Sequence, residues 1–317
     1  MFELKGIYKE FKIGSFRDRR TVYALNDINL KIRDKEILGL VGESGSGKTT
    51  VARLIEKIYN PTAGEMKIDG VTIPYKMKKE ELKGYRKHVQ MIFQDPFSSL
   101  NPLHNIRYIL SRPYKIHDLG RSDEIDELVT NQLEKIGLIP PEMYLEKLPY
   151  ELSGGQRQRI GIARALAVKP KLVLADEPTS MLDVSIRLDI MNLILDLKEK
   201  ENVSFLFITH DLAGARYVSD RIAIMYAGYM VEIGESDEII DTPLHPYTEL
   251  LKKAAPKPES GLVPEIIEEN GGIPNLTEKI TCCPFEPRCE KRMAICSQKI
   301  PELKSIGDGR LVRCFLY

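Results

Sequence analysis

The sequence has no tryptophan, no excess of either charge sign, and no cysteine before position 282. Lysine plus arginine number 46 and aspartate plus glutamate number 46, so no global basic charge points toward nucleic acid. No apolar run reaches the ~20 residues that a bilayer-spanning helix needs. Met1-Phe2-Glu3-Leu4-Lys5 carries no basic-then-apolar leader. Internal repeats and low-complexity tracts are absent as well. These absences predict a protein that stays in the cytosol and reaches any membrane only through a partner. At 317 residues, 43% hydrophobic and 29% charged, the chain has the balance of a soluble globular protein. That length suits one large domain with an appendage, or two modest domains.

Residues 1 to about 93 read as strands and turns. Asp69-Gly70 is a hairpin-type turn between Glu65-Met66-Lys67-Ile68 and Val71-Thr72-Ile73, and Val89 to Phe93 is a further strand. From about 100 to 168 the character is helical. Ser122 is placed to cap a segment in which Ile125, Leu128, Val129, Leu133 and Ile136 recur at helical spacing up to Gly137. Leu172 to Ala175 reads as strand, and a long amphipathic helix follows with Asp183 near its start. Val203 to Ile208 is another buried strand, and Ala227-Gly228 joins two more as a hairpin. Strands alternating with helices predict a mostly parallel sheet covered on both faces. After about 240 the texture changes: Pro243, Pro246, Pro256, Pro258, Pro264 and Pro274 interrupt regular structure, and Gly271-Gly272 adds a joint. A boundary near 250 is expected, with an irregular, cysteine-containing tail beyond it.

Gly42-Glu43-Ser44-Gly45-Ser46-Gly47-Lys48-Thr49-Thr50 lies between the apolar run Ile37 to Val41 and Val51-Ala52-Arg53-Leu54-Ile55. A glycine-rich turn between a buried strand and a helix is the setting a phosphate-cradling loop requires. Its backbone N–H groups can turn inward onto anionic oxygens, and the helix adds the positive end of its dipole. Lys48 can reach the β- and γ-phosphates, and the Thr49 hydroxyl can ligate Mg²⁺. The motif predicts that the chain binds a nucleoside triphosphate.

Lys171 to Glu177 reads as a strand ending in Asp176-Glu177, at the edge where parallel sheets place ligands. Beside a phosphate loop, Asp176 would hold Mg²⁺ through water and Glu177 would polarise the attacking water. Gln94, after the strand Val89 to Phe93, can approach Mg²⁺ and the nucleophile; by itself it reads first as a turn residue before Asp95-Pro96. His210 follows another strand and can orient the water from its edge. Leu152-Ser153-Gly154-Gly155-Gln156 precedes a helix through Arg157 to Leu166. Ser153 and the two glycines offer a hydroxyl and bare N–H groups at that helix start. The segment is either a plain cap or a second anion site, and one nucleotide leaves a single chain no use for two. A second site would therefore serve the nucleotide of a facing subunit.

The order phosphate loop, Gln94, Leu-Ser-Gly-Gly-Gln, Asp176-Glu177, Ser180-Met181-Leu182-Asp183 and His210 resembles that of ATP-binding cassette (ABC) ATPases, over roughly residues 1–240. The resemblance implies an α/β P-loop NTPase core of the RecA-like kind over 1–250, with a helical subdomain at about 95–165. It further implies two cassettes closing head-to-tail, each ATP lying between one phosphate loop and the facing Ser153-Gly154-Gly155-Gln156. Asp183 would couple the two sites, and the helical region would receive the coupling helix of a transmembrane permease. An adenine-stacking aromatic is expected between Phe11 and Tyr23. Strict spacing falls at Arg19, so a shift would have to bring in Phe16 or Phe11.

Gln94 to Pro102, the run Ile160-Gly161-Ile162-Ala163-Arg164, and His245-Pro246-Tyr247 are similar to the ATPases of di- and oligopeptide importers, the F-type more than the D-type. That likeness implies a motor on the cytoplasmic face of the membrane. It would work with permease subunits, a second ATPase subunit (self or paralogue) and, indirectly, an extracytoplasmic substrate-binding protein. Oligosaccharide uptake, and after it nickel, are the alternative cargoes. A soluble ABC ATPase acting on nucleic acid or the ribosome is the alternative class, disfavoured by the single cassette and the lack of a coiled-coil insertion. Cys283, Cys289, Cys296 and Cys314, with Cys282 as a spare, suggest a metal centre in a cytosolic tail. The same subfamily implies a 4Fe–4S cluster there. Zinc is one alternative, although its sites favour closer C-x2–4-C pairs, and thiols left free or paired as disulfides are the other.

Overall fold

The computed structural model describes residues 1–14, 19–254, 274–307 and 309–317. Phe16, the Gly271-Gly272 joint and Pro256, Pro258 and Pro264 lie outside the described residues. In chain order the first half contains strands β1 (Phe2–Ile13), β2 (Arg20–Ile32) and β3 (Ile37–Val41), helix α1 (Lys48–Ile55), β4 (Ala63–Ile68), β5 (Val71–Thr72), α2 (Lys79–His88), β6 (Val89–Ile92), α3 (Ile106–Ile116), α4 (Ile125–Lys135) and α5 (Glu142–Leu145). The second half contains α6 (Gly154–Leu166), β7 (Leu172–Asp176), α7 (Val184–Glu201), β8 (Ser204–Thr209), α8 (Leu212–Val218), β9 (Arg221–Tyr226), β10 (Tyr229–Glu235), α9 (Ser236–Asp241), α10 (Pro246–Ala254), β11 (Lys304–Gly307) and β12 (Arg310–Val312). Two compact units result, one of residues 1–33, 37–75 and 209–317, the other of 34–36 and 76–208.

In the first unit β1 and β2 pair antiparallel, matching Phe2 with Ile32, Leu4 with Leu30 and Ile7 with Ile28. All six of these side chains are buried. β4 pairs with β1, and β5 returns on β4, giving the order β2-β1-β4-β5. Asp69 and Gly70 adopt φ of 50° and 80°, the left-handed pair that a tight hairpin turn demands. A second run of strands has the order β11-β12-β10-β9-β3. There β3 and β9 are parallel and β9 and β10 antiparallel across Ala227-Gly228. Every residue of β3 and β9 is buried, which explains why they read as unbroken apolar runs rather than alternating ones.

The tail belongs to this first unit. Residues 274–303 contain only short turns of helix, and then β12 pairs with the edge of β10, Glu232 opposite Val312. An unpaired strand edge exposes a row of polar backbone groups, and β12 satisfies them. Phe285, Cys283 and Cys296 pack into the same apolar cluster as Val41, Ile224, Tyr226 and Tyr247.

In the second unit β8, β7 and β6 are parallel neighbours, with Leu172 opposite both Ser204 and Val89. Helix α4 begins after Glu124, and Ser122 does not cap it. Instead the Glu124 N–H donates to the Arg121 oxygen at 3.0 Å and the Glu124 carboxylate accepts the Arg121 N–H at 2.9 Å, so a local turn takes up a donor that a serine cap would have used. Gly137 ends the segment at φ 71°, as its position predicts. Among the described residues no helix is long and apolar enough to cross a membrane.

Candidate nucleotide site

The buried strand β3 delivers the chain into residues 42–47, and Gly47, at φ 106°, turns it into α1. Two glycines here are steric necessities. A Cβ on Gly42 would lie 2.1 Å from the Met225 carbonyl oxygen, and one on Gly47 2.8 Å from the Ala24 oxygen. The Gly228 N–H donates to the Ser46 oxygen at 2.9 Å, tying the loop to the β9–β10 turn. The Ser46 hydroxyl is buried with no hydrogen-bond partner. Lys48, only 5% exposed, folds back and donates to the carbonyls of Gly42 and Glu43 at 2.6 and 2.8 Å. Thr49 and Thr50 stand half-buried in the first turn of α1, while Ser44 and Gly45 are exposed. The loop therefore holds its ammonium against two of its own carbonyls, near the helix start where an anion is favoured. His210 belongs to the same unit, exposed just past β8. Phe11 packs edge-on against Tyr59, ring centroids 5.1 Å apart.

In the second unit the structure brings Gln94 and Glu177 together, the Gln94 amide donating to Glu177 Oε2 at 3.0 Å. Asp176 is buried at the end of β7. Glu177 follows at φ 45°, its N–H donating to the Ile208 oxygen at 2.9 Å. A left-handed glutamate is a strained conformation that packing must enforce, and such positions gather at functional sites. The amide thus orients a half-buried carboxylate at the carboxyl edge of parallel strands, the arrangement a water-polarising base requires.

Leu152 leads into α6 through a reciprocal cap. The Ser153 hydroxyl accepts the Gln156 N–H at 3.3 Å, and the Gln156 side chain accepts the Ser153 N–H at 3.0 Å. The cap reading of this segment is therefore satisfied within the chain. The amides of Gly154 and Gly155 sit in the first turn, where no intrahelical carbonyl can reach them. Gly155 is held against α7, since a Cβ there would lie 2.6 Å from Ile186 Cγ2; the nearest atom to one on Gly154 is 3.4 Å away. Asp183 precedes α7, exposed, with no side-chain cap bond.

Sequence reasoning missed the surroundings of Glu43. The Tyr247 hydroxyl accepts the Glu43 N–H at 3.0 Å, and Arg288 forks onto the Glu43 carboxylate at 2.8 and 2.9 Å. Tyr247 lay within a quoted motif but had no role assigned, and Arg288 had only its place beside Cys289 to recommend it. His245 is buried and starts α10, its Nδ1 accepting the Tyr247 N–H at 3.0 Å. Burial pushes its imidazole down to about 3.

Burial pushes Cys283 up to about 12 and also raises Cys289 and Cys314, with these cysteines and Cys296 as one another's electrostatic neighbours. Among the described residues, however, no group of three or more His, Cys, Asp or Glu side chains is placed to hold a metal ion. Neither a 4Fe–4S cluster, which takes four thiolates, nor zinc, which needs four ligands around one ion, finds support in this arrangement.

Two family models match the chain: ABC transporter over residues 25–180, and oligopeptide/dipeptide transporter, C-terminal region, over 231–296. The oligopeptide transport ATP-binding protein AppF of Bacillus subtilis is 40% identical over 100% of this chain and 97% of its own. The chain belongs to the ABC transporter ATP-binding family. The putative oligopeptide transport ATP-binding protein YkfD of the same organism is 41% identical over 100% of this chain and 95% of its own. Among solved structures, the dimeric post-hydrolysis state of the ATP-binding cassette MJ0796 bound to ADP and Pi is 32% identical. It covers 74% of this chain and 99% of that one, with a TM-score of 0.66. The cassette cbiO1 of Clostridium perfringens gives 0.67 at 25% identity, over 76% and 90% of the two chains. The fold is thus the P-loop α/β cassette expected, and the chain is an ATPase of this family. Neither the relatives nor the solved structures lend support to an iron–sulfur centre in the tail.

Proposed function

We propose that this chain is the ATP-hydrolysing motor of a peptide importer, bound through its permease to the cytoplasmic face of the membrane. The observation that carries the reading is the double match, a cassette over 25–180 and an oligopeptide/dipeptide transporter C-terminal region over 231–296, in one chain. The loop from Gly42 through Thr50 would cradle the phosphates of ATP, with Lys48 leaving its carbonyls for the β- and γ-oxygens. Thr49, Gln94 and Asp176 would hold Mg²⁺, a cation that keeps several waters and asks for few protein ligands. Glu177, aligned by Gln94, would take the proton of the attacking water while His210 orients it.

Ser153, Gly154, Gly155 and Gln156 would complete the site of a second ATPase subunit facing this one, and Asp183 would couple the two. The dimeric cassette structures support that arrangement. A substrate-binding protein would deliver the peptide to the permease. Reconstitution with the permease in proteoliposomes tests the whole: ATP-dependent uptake of labelled oligopeptide is expected. Uptake of oligosaccharide or nickel in its place would overturn the cargo.

We also infer that Cys283, Cys289, Cys296 and Cys314 bind a 4Fe–4S cluster. The support is that Cys289, Cys296 and Cys314 are all electrostatic neighbours of Cys283. Four thiolates are the donor set such a cluster takes, and bound iron would favour the thiolate that burial opposes. Anaerobic purification followed by a visible spectrum and iron analysis tests it, and a colourless, iron-free protein would refute it.

A further inference from the structure

Every polar group of Glu43 is engaged, and two of its three partnerships come from the C-terminal part of the chain. Its N–H donates to the hydroxyl of Tyr247, which is fully buried. Its carboxylate receives both terminal nitrogens of Arg288, Nη1 on Oε2 at 2.8 Å and Nη2 on Oε1 at 2.9 Å. Its carbonyl accepts from Lys48 Nζ at 2.8 Å and from the Ser46 N–H at 3.2 Å. Parallel two-point pairing is the most directional charged contact available to a protein.

The guanidinium is fixed in its turn. Its side chain is 9% exposed, against 27% for Glu43. It lies 5.7 Å from the Tyr226 ring centroid and 5.8 Å from that of Phe285. The Tyr226 hydroxyl accepts from Nη1 at 3.5 Å. The glutamate beside it raises Arg288 well above the usual arginine value. Phe285 anchors the same turn in the core, 3% exposed. The residue being gripped is the second of the phosphate loop, and its carbonyl carries the loop's own lysine.

We propose that Arg288 is a positioning residue for ATP: it fixes Glu43, and through it the phosphate loop and Lys48, and it cancels a carboxylate that would otherwise repel the incoming phosphates. The cysteine-bearing tail thereby becomes part of the nucleotide site's support. The inference rests on the loop being the ATP site and not on which solute is transported. Loss of the arginine weakens nucleotide binding through either effect, the freed loop or the uncancelled carboxylate. Removing Glu43's charge as well repairs only the part of the loss that the uncancelled carboxylate causes.

The test is nucleotide affinity and steady-state ATPase on the full-length chain with Mg²⁺. R288Q should raise the Kd and KM for ATP about tenfold, within the roughly 5- to 150-fold span of coupled sites, with kcat changed far less. E43Q/R288Q should recover to within about threefold of wild type, and R288K, with the charge but not the fork, should fall between. An R288Q protein that folds and binds ATP as wild type does, or a double variant as weak as R288Q, would overturn the proposal. E43Q supplies a second route if R288Q does not fold. In wild type, nucleotide should slow backbone hydrogen exchange over 283–289, and in E43Q that protection should vanish. Equal protection in both would overturn the coupling. Failure of wild type to bind ATP would instead sink the reading of the loop itself.

Discussion

His245 sits where a proton costs the fold directly. It is 2% exposed, and burial depresses its imidazole to about 3 from 6.5, only partly opposed by a hydrogen bond to the Arg313 backbone. Two other charges face this corner. The buried Glu232 carboxylate accepts the N–H groups of Leu244 and His245 at 2.9 and 3.0 Å, and Arg310 neutralises it at 2.8 Å. On the remaining side the ring meets Phe285, centroids 5.7 Å apart. Because the folded value lies below the unfolded one, the unfolded chain binds the proton first as pH falls. The contribution is fully present above about 6.5 and is lost downward from there toward 3, at about 1.4 kcal/mol per pH unit. Between about pH 7 and pH 5 the loss comes to about 2 kcal/mol, or about 3 °C of melting temperature for a chain of 317 residues.

His245→Asn isolates the effect, since asparagine caps helices well and its carbonyl can accept the Tyr247 N–H where Nδ1 now does. Urea melts of both proteins across that range would measure it. The difference in stability, wild type minus variant, should fall by about 2 kcal/mol on acidification, the carboxylates common to both cancelling. Parallel pH curves would refute the reasoning.

Glu177→Gln should keep ATP binding and slow turnover by about 10²- to 10⁴-fold, leaving a closed dimer; wild-type hydrolysis would show that Glu177 is not the base. Gly154→Ala should fold normally and impair ATPase only where two cassettes meet, since its Cβ finds ordinary contact at 3.4 Å. Gly155→Ala must displace Ile186, 2.6 Å from the added atom, and should lower the melting temperature in the isolated chain as well. Equal stabilities would contradict that difference. Cys282→Ser should leave any visible absorbance of anaerobically purified protein unchanged while Cys283→Ser abolishes it, and the reverse pattern would reassign the spare cysteine.

What the sequence made legible follows from how local each constraint is. The phosphate loop could be read because its glycines answer to contacts a Cβ would destroy, at 2.1 Å for Gly42 and 2.8 Å for Gly47. The strands β3, β7, β8 and β9 could be read because burial on both faces leaves continuous apolar runs. The Asp69-Gly70 turn announced itself through two residues that tolerate positive φ, and the Ala227-Gly228 turn through its glycine alone. The Ser122 cap failed because capping is a competition among neighbours, and the Arg121–Glu124 turn prevailed there. Gln94 and Glu177 are 83 positions apart and were matched only through the order of a family's motifs. The grip of Arg288 on Glu43 spans 245 positions, and no periodicity or motif spacing encodes a contact of that reach.

That long-range grip also bears on what the tail contributes. A charged pair mostly withdrawn from water is weak evidence for stability, because desolvating both ions offsets much of their attraction, and well-packed apolar residues of similar volume often do as well. Apolar packing is already supplied beside it by Phe285, Tyr226 and Tyr247, with ring centroids 4.6 to 5.4 Å apart. Stability alone therefore gives no reason for an arginine at 288 or a glutamate at 43. Geometry does: a two-point ionic contact fixes direction as well as distance, and the backbone it directs is the one that must present amides to phosphate. Apolar side chains in the same places would hold the tail as firmly and leave the loop free to choose among conformations.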